Sequence, residues 1–309
     1  MPNGYPPHMT TITLLDGGMG QELVRRSSAP PDPLWSTRVL IDEPALVTAL
    51  HREYIDAGAD VITLAGYSAT PERLVREGRP EQFESLQAAA LASARRARAE
   101  AGRADVRLAG SLPPLVASYR PDMLPAVDSA LASYRRLVAC QAGGEGAGAG
   151  EGVDLFICET MSSIAEAQVA ATAALESGLP VWVALTVDDD RSGRLRSGES
   201  LDEAVRALEP LGIDALLLNC STPEAIDAAW PGLAGATVPT GVYANAFTSI
   251  AALEPGGTVA VLEARTDLGP QAYAERAAGW VERGATIVGG CCETTPAHVR
   301  ALAGRLARR

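Results

Sequence analysis

Two adjacent cysteines, Cys291 and Cys292, follow a short apolar run in the last part of the sequence. Neighbouring side chains on a regular strand point to opposite faces, so both sulfurs can face one centre only where the backbone leaves strand geometry. The preceding Gly289-Gly290 pair permits such a change. The stretch is consistent with a reactive thiol site and equally with a pair of buried, inert cysteines.

A third cysteine, Cys220, also follows an apolar run that reads as a strand. Three thiolates without histidine favour a soft, tetrahedral ion, and zinc is the usual occupant. No fourth protein ligand is evident, which is typical of a catalytic site with an open position. Zinc with three thiolates carries a net charge of about −1, so it suits binding a substrate thiol as a thiolate. The predicted chemistry is alkyl transfer to sulfur.

The composition excludes several other kinds of catalyst. All 26 basic residues are arginine, so a Schiff-base aldolase, a pyridoxal-phosphate enzyme and a P-loop NTPase, which need lysine, are excluded. The net charge of −12 argues against nucleic-acid and anionic-membrane partners. No signal peptide is recognisable, and five cysteines do not suggest a disulfide framework. We therefore expect a cytoplasmic protein with reduced thiols.

Eight strand–helix units account for most of the chain. The strands are apolar throughout rather than alternating, which indicates a parallel sheet. The count of eight favours an α/β fold with a single-domain (β/α)₈ TIM barrel, and no Gly-x-Gly-x-x-Gly follows the first strand to support a dinucleotide-binding sheet. The predicted strands lie at residues 11–15, 61–64, 106–109, 154–158, 181–185, 215–220, 238–243 and 285–288.

The segments between these strands complete the predicted domain organisation. Residues 1–10 read as a flexible leader and residues 11–309 as the barrel. A Gly-rich stretch at about 142–152 is predicted to be a flexible loop rather than a domain linker, because the same strand–helix rhythm runs on either side. Two helix-capping boxes are predicted, Ser163 with Glu166 and Ser200 with Glu203.

The three cysteines fall at the carboxyl ends of strands six and eight, where a (β/α)₈ barrel assembles its active site. With its other motifs, the chain resembles the homocysteine S-methyltransferase family from about residue 12 to residue 306. The stretches that carry the resemblance are Leu15-Asp16-Gly17-Gly18-Met19-Gly20, Ala57-Gly58-Ala59-Asp60 with Tyr67 after it, Glu159-Thr160-Met161-Ser162-Ser163, Asn219-Cys220 and Gly289-Gly290-Cys291-Cys292.

The resemblance implies the metal, the substrates and the reaction. Zn²⁺ would be held by Cys220, Cys291 and Cys292, and L-homocysteine would enter as the fourth ligand and lose its thiol proton. Its sulfur would attack the methyl group of an onium donor in line, giving methionine. The positive charge of the donor disappears in this step, so a dry cavity would favour the transfer. The implied partners are two small molecules, and no oligomeric state is predicted.

The resemblance also implies which residues bind the substrate. Asp16 and Glu159 would hold the amino end of homocysteine, and the backbone at Gly17 and Gly18 would shape the cavity. An Asx turn is the structural alternative for Asp16, and a helix N-terminal carboxylate is the alternative for Glu159.

Tyr67 and Asn219 complete the substrate-binding residues that we predict. Trp35 and Tyr67 match aromatic positions of the family, and either ring could face a cationic methyl donor. As core aromatics the two residues would need no such role.

Two stretches depart from the family pattern. Tyr243-Ala244-Asn245-Ala246-Phe247 stands where the family usually reads Tyr-Pro-Asn-Ser-Gly, and Glu293 replaces the glycine that usually follows the cysteine pair. Betaine-specific members carry an aromatic residue where this chain has Thr160, and cobalamin-dependent members have further domains that this sequence does not encode. S-methylmethionine and S-adenosylmethionine are therefore the preferred donors.

Two other functions remain compatible with the residues. A zinc-thiolate transferase could use another thiol or a selenol as its acceptor. In a non-catalytic barrel, Cys291 and Cys292 would form a redox-sensing vicinal pair.

Overall fold

Eight short apolar strands form one parallel sheet with helices on its outer side. The computed structural model describes residues 11–28, 36–143, 151–190, 192–250, 252–253 and 261–306. The strands are β1 (Thr13–Leu14), β2 (Val61–Thr63), β3 (Arg107–Leu112), β4 (Leu155–Met161), β5 (Val181–Leu185), β6 (Ala215–Asn219), β7 (Thr240–Tyr243) and β8 (Ile287–Val288). The helices are α1 (Met19–Arg26), α2 (Ser36–Asp42), α3 (Pro44–Ala57), α4 (Pro71–Arg76), α5 (Phe83–Ala101), α6 (Val127–Gln141), α7 (Ile164–Leu175), α8 (Leu201–Leu208), α9 (Pro223–Ala229), α10 (Pro270–Glu282) and α11 (Pro296–Leu306).

The sheet closes on itself. Strands β2 to β8 pair in sequence order, and β8 pairs in parallel with β1, with Thr13 opposite Ile287. A parallel bridge between Leu15 and Val61 joins the end of β1 to β2 and completes the circle. The prediction of a single-domain (β/α)₈ barrel is confirmed.

Both faces of the sheet are buried, which explains why the strands are apolar throughout. One face packs against the helices, and the other fills the interior of the barrel. The interior side chains come from or directly follow all eight strands and form one apolar cluster. Its members are Leu15, Val61, Ala109, Leu155, Ile157, Trp182, Ala184, Ala215, Leu217, Tyr243 and Ile287.

The helix starts agree with the predicted capping residues, with one difference. Ser200 and Glu203 form the predicted capping box at α8. At α7 the Ser163 hydroxyl accepts the backbone N–H of Glu166, at 3.1 Å. The Glu166 carboxylate accepts instead from the backbone N–H of Ser162, at 2.8 Å, so this capping box is shifted by one residue.

The main difference from the predicted strands lies at the end of β4. This strand continues to Met161, so Glu159 and Thr160 lie within it rather than after it. The pairing with β5 shifts register between Cys158 and Met161, and Thr160 has a φ of 62°. Such an irregularity turns a side chain away from its expected direction.

Helices α1, α2 and α4 were not predicted from the sequence, and all three lie in connections that follow β1 or β2. The predicted leader at residues 1–10 and residues 144–150 of the predicted Gly-rich loop lie outside the described residues. Within the part of the chain that the structure describes, no helix combines the length and the apolar character needed to cross a bilayer.

Candidate metal centre and active site

The sulfurs of Cys220, Cys291 and Cys292 meet at the carboxyl end of the barrel. All three lie within 4.8 Å of one another; Cys220 and Cys292 are 3.9 Å apart, and Cys291 and Cys292 are 4.0 Å apart. A tetrahedral ion with metal–sulfur bonds of about 2.3 Å places its ligand sulfurs about 3.8 Å apart. A disulfide would require about 2.0 Å. The spacing therefore fits three ligands of one soft ion.

The three thiols have different proton affinities. The pKa of Cys220 is lowered, first because the thiols of Cys291 and Cys292 donate to its sulfur and also because the Tyr119 hydroxyl does so. The pKa values of Cys291 and Cys292 are raised by the same contacts with Cys220. Hydrogen bonds to its sulfur therefore favour the thiolate form of Cys220. Cys140 and Cys158 lie on α6 and β4, outside this cluster.

Gly289 and Gly290 bring the cysteine pair to the barrel end because they have no side chain. A Cβ on Gly289 would lie 2.4 Å from Leu15 Cβ, and one on Gly290 would lie 2.1 Å from Thr294 Oγ1. Neither glycine has a positive φ, so close packing rather than a left-handed backbone requires glycine here. The left-handed residue of this turn is Glu293, with a φ of 63°.

Gly17 and Gly18 pack against the same turn from the other side. A Cβ on Gly17 would lie 2.8 Å from the Thr294 carbonyl oxygen, and one on Gly18 would lie 2.6 Å from that of Cys291. The Gly18 N–H donates to the Thr294 carbonyl at 2.8 Å. The chain after β1 therefore lies directly against the cysteine turn.

A cavity opens above the three sulfurs. It encloses about 870 Å³, including its open mouth. Its wall contains residues that follow β1, β2, β3, β6, β7 and β8, together with Glu159 from within β4, as expected for the active-site end of a (β/α)₈ barrel. The predicted site residues on this wall are Asp16, Gly17, Gly18, Tyr67, Glu159, Cys220, Cys291 and Cys292.

Two carboxyl groups line the cavity, the buried Asp16 and the half-buried Glu159. Asp16 Oδ2 accepts the backbone N–H of Thr63 at 2.8 Å, and Glu159 Oε1 accepts the Ser111 hydroxyl at 2.5 Å. Burial raises the pKa of Asp16 to about 7 and that of Glu159 to about 8. These contacts are neither an Asx turn at Asp16 nor a helix N-terminal contact at Glu159, which were the structural alternatives for the two residues.

Asn219 lies behind the cavity wall rather than on it. Its Oδ1 accepts the backbone N–H of Thr160 at 3.1 Å, and its Nδ2 donates to Thr160 Oγ1 at 2.9 Å. The amide therefore holds the left-handed residue of β4 beside the end of β6. Its predicted contact with substrate stays a prediction.

Tyr67 is the predicted aromatic residue that the structure places on the wall. Its hydroxyl lies 2.7 Å from Ser118 Oγ, and the guanidinium of Arg73 lies 5.2 Å from its ring centroid. Trp35 lies outside the described residues.

Two further tyrosines on the wall, Tyr119 and Tyr243, were not among the predicted site residues. The Tyr119 hydroxyl donates to Cys220 Sγ at 3.2 Å. Tyr243 is only 6% exposed, and its hydroxyl has no hydrogen-bond partner among the described residues. Tyr243 could have been predicted from its position at the end of β7, where such a barrel places its active site. Tyr119 lies in the long connection after β3, and no sequence pattern marks it as a site residue.

Left-handed backbone at residues other than glycine is concentrated at this end of the barrel. Tyr119, Thr160, Cys220 and Glu293 have φ values of 65°, 62°, 47° and 63°. Such conformations cost roughly 1–3 kcal/mol each and persist where surrounding contacts hold them. Their clustering around the sulfurs supports a functional site.

The two departures from the family pattern take part in packing around the cysteine turn. The Glu293 carboxylate accepts from Gln21 Nε2 at 2.6 Å and from Arg25 Nη2 at 2.8 Å, which ties the turn to α1. On the other side, the N–H of Cys291 donates to the Ala244 carbonyl at 2.9 Å, and that of Ala246 donates to the Cys292 carbonyl at 3.0 Å.

Comparison with known proteins agrees with this geometry. The family model described as homocysteine S-methyltransferase matches residues 13–306. A homocysteine S-methyltransferase of Escherichia coli (strain K12) is 34% identical, with 95% of each chain covered. A selenocysteine methyltransferase of Astragalus bisulcatus is 30% identical, covering 94% of this chain and 90% of that one.

A solved structure is similar over the same length. The metallated form of the homocysteine methyltransferase MmuM from Escherichia coli superposes with a TM-score of 0.78 at 30% identity, covering 96% of this chain and 97% of that chain. The eight-stranded barrel, the thiol cluster at its carboxyl end and the full-length matches lead to one assignment. The chain is a methyltransferase that belongs to the homocysteine S-methyltransferase family.

Proposed function

We propose that this protein transfers a methyl group from an onium donor, preferably S-methylmethionine or S-adenosylmethionine, to the thiolate of L-homocysteine, giving methionine. The observation that carries the proposal is the group of three sulfurs, spaced for one tetrahedral ion, on the wall of a cavity that two carboxyl groups also line. Family membership and the metallated form of a similar Escherichia coli enzyme support it.

Zinc is the ion that best fits Cys220, Cys291 and Cys292, because three thiolates form a soft ligand set and no histidine in the described part of the chain joins them. When bound, the ion would supply a site that holds a thiol as its thiolate at neutral pH. The protein supplies the spacing of the sulfurs, through the closely packed glycines before the cysteine pair.

Asp16 and Glu159 are proposed to bind the ammonium group of homocysteine. Both carboxyl groups lie on the cavity wall with raised pKa values, and an ammonium group would favour their ionised forms. Gly17 and Gly18 would let the substrate backbone approach closely, because their α-carbons carry no side chain on the wall.

The donor is proposed to lie against the tyrosines of the cavity. Tyr67 and Tyr243 offer aromatic rings near the sulfurs, and aromatic faces attract cations. The Tyr243 hydroxyl, which lacks a partner among the described residues, is available to hydrogen-bond a polar group of a bound substrate.

A panel of methyl donors tests the reaction. Homocysteine is incubated with S-methylmethionine, S-adenosylmethionine or betaine, and methionine is followed by mass spectrometry. We expect turnover with a sulfonium donor. Absence of methionine with every onium donor would contradict the proposal.

Metal analysis of purified protein tests the proposed ligands. We expect about one tightly held zinc per chain, lost in Cys220→Ala because two thiolates cannot hold the ion as firmly. Cys140→Ala is the matched control, since Cys140 lies on α6 away from the cluster, and it is expected to keep the zinc. Equal zinc content in the two variants would reject these ligands.

A selenol acceptor is the second candidate, because a similar protein from Astragalus bisulcatus is named a selenocysteine methyltransferase. The same donor panel with selenocysteine in place of homocysteine separates the two acceptors. A kcat/KM for selenocysteine well above that for homocysteine would favour the second candidate.

A further inference from the structure

The three sulfurs of the cluster differ in their hydrogen bonds. Cys220 Sγ accepts the phenolic O–H of Tyr119 at 3.2 Å. Within the described residues, the sulfurs of Cys291 and Cys292 have sulfur–sulfur contacts but no side-chain O–H donor. One proposed metal ligand therefore has a neighbour that the other two lack.

Tyr119 is held firmly in the position that makes this hydrogen bond. Its φ of 65° is unfavourable for a bulky residue, so neighbouring contacts must maintain it. The guanidinium of Arg196 lies 4.7 Å from the centroid of the Tyr119 ring. The Arg196 side chain is only 8% exposed; it donates to Thr186 Oγ1 at 3.1 Å and to Asp189 Oδ2 at 3.2 Å.

The partners of Arg196 also contact the segment that carries Cys220. Thr186 Oγ1 lies 3.0 Å from Ser221 Oγ, and Asp189 Oδ1 accepts the backbone N–H of Thr222 at 3.0 Å. The buried guanidinium therefore connects the Tyr119 ring to residues that fix the chain directly after Cys220. Donor and acceptor of the O–H···S bond are held by one set of contacts.

We propose that Tyr119 is a positioning residue that acts through Cys220 Sγ and keeps its hydrogen bond to this sulfur when the three cysteines hold a metal ion. The inference rests on the proposed function in that the cluster is taken to bind metal. A hydrogen bond withdraws electron density from a thiolate, so Cys220 would be the weakest donor of the three. Tyr119 would thereby offset part of the negative charge that three thiolates bring to the site.

Cobalt-substituted protein gives a direct readout. Co²⁺ bound by thiolates has sulfur-to-metal charge-transfer absorption, whose energy falls when a thiolate loses a hydrogen bond. We expect Tyr119→Phe to move this band to longer wavelength at unchanged cobalt content. Tyr67→Phe is the matched control, because it removes a hydroxyl of the same cavity wall that pairs with Ser118 and not with a sulfur. Its band is expected to stay in place.

An unmoved band in cobalt-loaded Tyr119→Phe would overturn the proposal. If that variant fails to fold or to bind cobalt, replacement of Tyr119 by a ring-fluorinated tyrosine keeps the shape and makes the hydroxyl a stronger donor. The band should then move to shorter wavelength, and an unchanged band would again overturn the proposal. Failure of the unaltered protein to bind cobalt or zinc would instead contradict the proposed function, and with it this inference.

Discussion

At the scale of single residues, burial controls the charge of the carboxyl groups in the cavity. The pKa of Asp16 is about 7 and that of Glu159 about 8, in each case mainly because the charged form is poorly solvated. Near neutral pH a fraction of these groups carries a proton. An amino acid whose ammonium group pairs with the carboxylates must therefore displace this proton when it binds.

This proton release predicts how binding depends on pH. Methionine has no thiol, so its affinity reports the carboxyl groups without ionisation of a substrate sulfur. We expect its affinity, measured by calorimetry, to rise between about pH 6 and pH 8 as Asp16 and Glu159 ionise. Glu159→Gln should weaken methionine binding about 10- to 100-fold, the range for one charge-assisted hydrogen bond. It should also reduce the rise in affinity near pH 8, where Glu159 ionises.

Glu166→Gln is the control for that measurement. Glu166 is also a buried carboxyl, with a pKa of about 7 because of burial, but it bonds the backbone of Ser162 and does not line the cavity. Methionine affinity should be unchanged in this variant. An equal loss in both variants would indicate a general structural effect.

His51 provides a prediction about acid stability. It is fully buried on α3, neither ring nitrogen has a partner among the described residues, and burial lowers its pKa to about 3. The unfolded chain, with a histidine pKa of about 6.5, binds this proton at a higher pH than the folded one, so stability falls as the pH drops from about 6.5 towards 3.

Through His51, the free energy of unfolding is expected to fall by about 2 kcal/mol between pH 7 and pH 5. It should be absent from His51→Leu, which cannot take up a proton and removes an unpaired polar ring. Urea unfolding of both proteins at the two pH values measures it. Equal losses in the two proteins would show that the ring is not the cause.

At the scale of elements, the sequence predicts the strands well where they are regular. The run 181–185 coincides with β5, and Ser200 with Glu203 forms the expected cap of α8. The end of β4 could not be predicted, because its register shift depends on how Asn219 of another strand holds Thr160. Periodicity along one segment carries no information about such a contact.

The same distinction applies to the site. Cys220 and the cysteine pair were identified by residue type and by their position at strand ends, and the structure brings them together. Tyr119 was missed because its place beside Cys220 depends on a left-handed backbone and on the buried Arg196, which belongs to a different loop. Tertiary contacts of this kind leave no local pattern.

The turn after β8 allows backbone strain to be separated from side-chain contacts. Glu293 has a left-handed backbone but is held by Gln21 and Arg25. Glu293→Ala removes these contacts and keeps the strain, whereas Glu293→Gly removes both. We expect the glycine variant to be about 1 kcal/mol more stable than the alanine variant in urea unfolding.

Both Glu293 variants should be no more than modestly less stable than the unaltered protein, since the ion pair with Arg25 is partly exposed. Identical free energies of unfolding for the alanine and glycine variants would mean that the left-handed conformation of residue 293 carries no cost in solution.

At the scale of the whole molecule, the barrel is least extensively paired where it closes. Strands β1 and β8 contain two residues each, and a single bridge between Leu15 and Val61 joins β1 to β2. The opposite side has the longer β4 and β5. We call this junction of β8, β1 and β2 the seam of the barrel. The cysteine turn and Asp16 lie at the seam.

Hydrogen exchange should detect this difference. The amides of Leu15 and Asp16, which donate across the seam, are expected to exchange faster than the amide of Val183 in β5. Added zinc should slow exchange at the seam, because it would fix the cysteine turn against which the chain after β1 packs, and it should have no such effect in Cys220→Ala. Uniform exchange around the barrel would contradict this expectation.

The order of the strands has a consequence for how the protein is made. Cys220 and Cys292 are separated by 72 positions, and the cysteine pair follows the last strand of the barrel. A growing polypeptide on the ribosome presents one of the three thiols long before the other two emerge. A single thiolate holds zinc weakly, so the proposed zinc ion could be captured tightly only once β8 and the cysteine pair after it have been synthesised. Under the proposed function, metal acquisition would then come late in biosynthesis, and a translation product truncated before β8 would hold zinc only weakly.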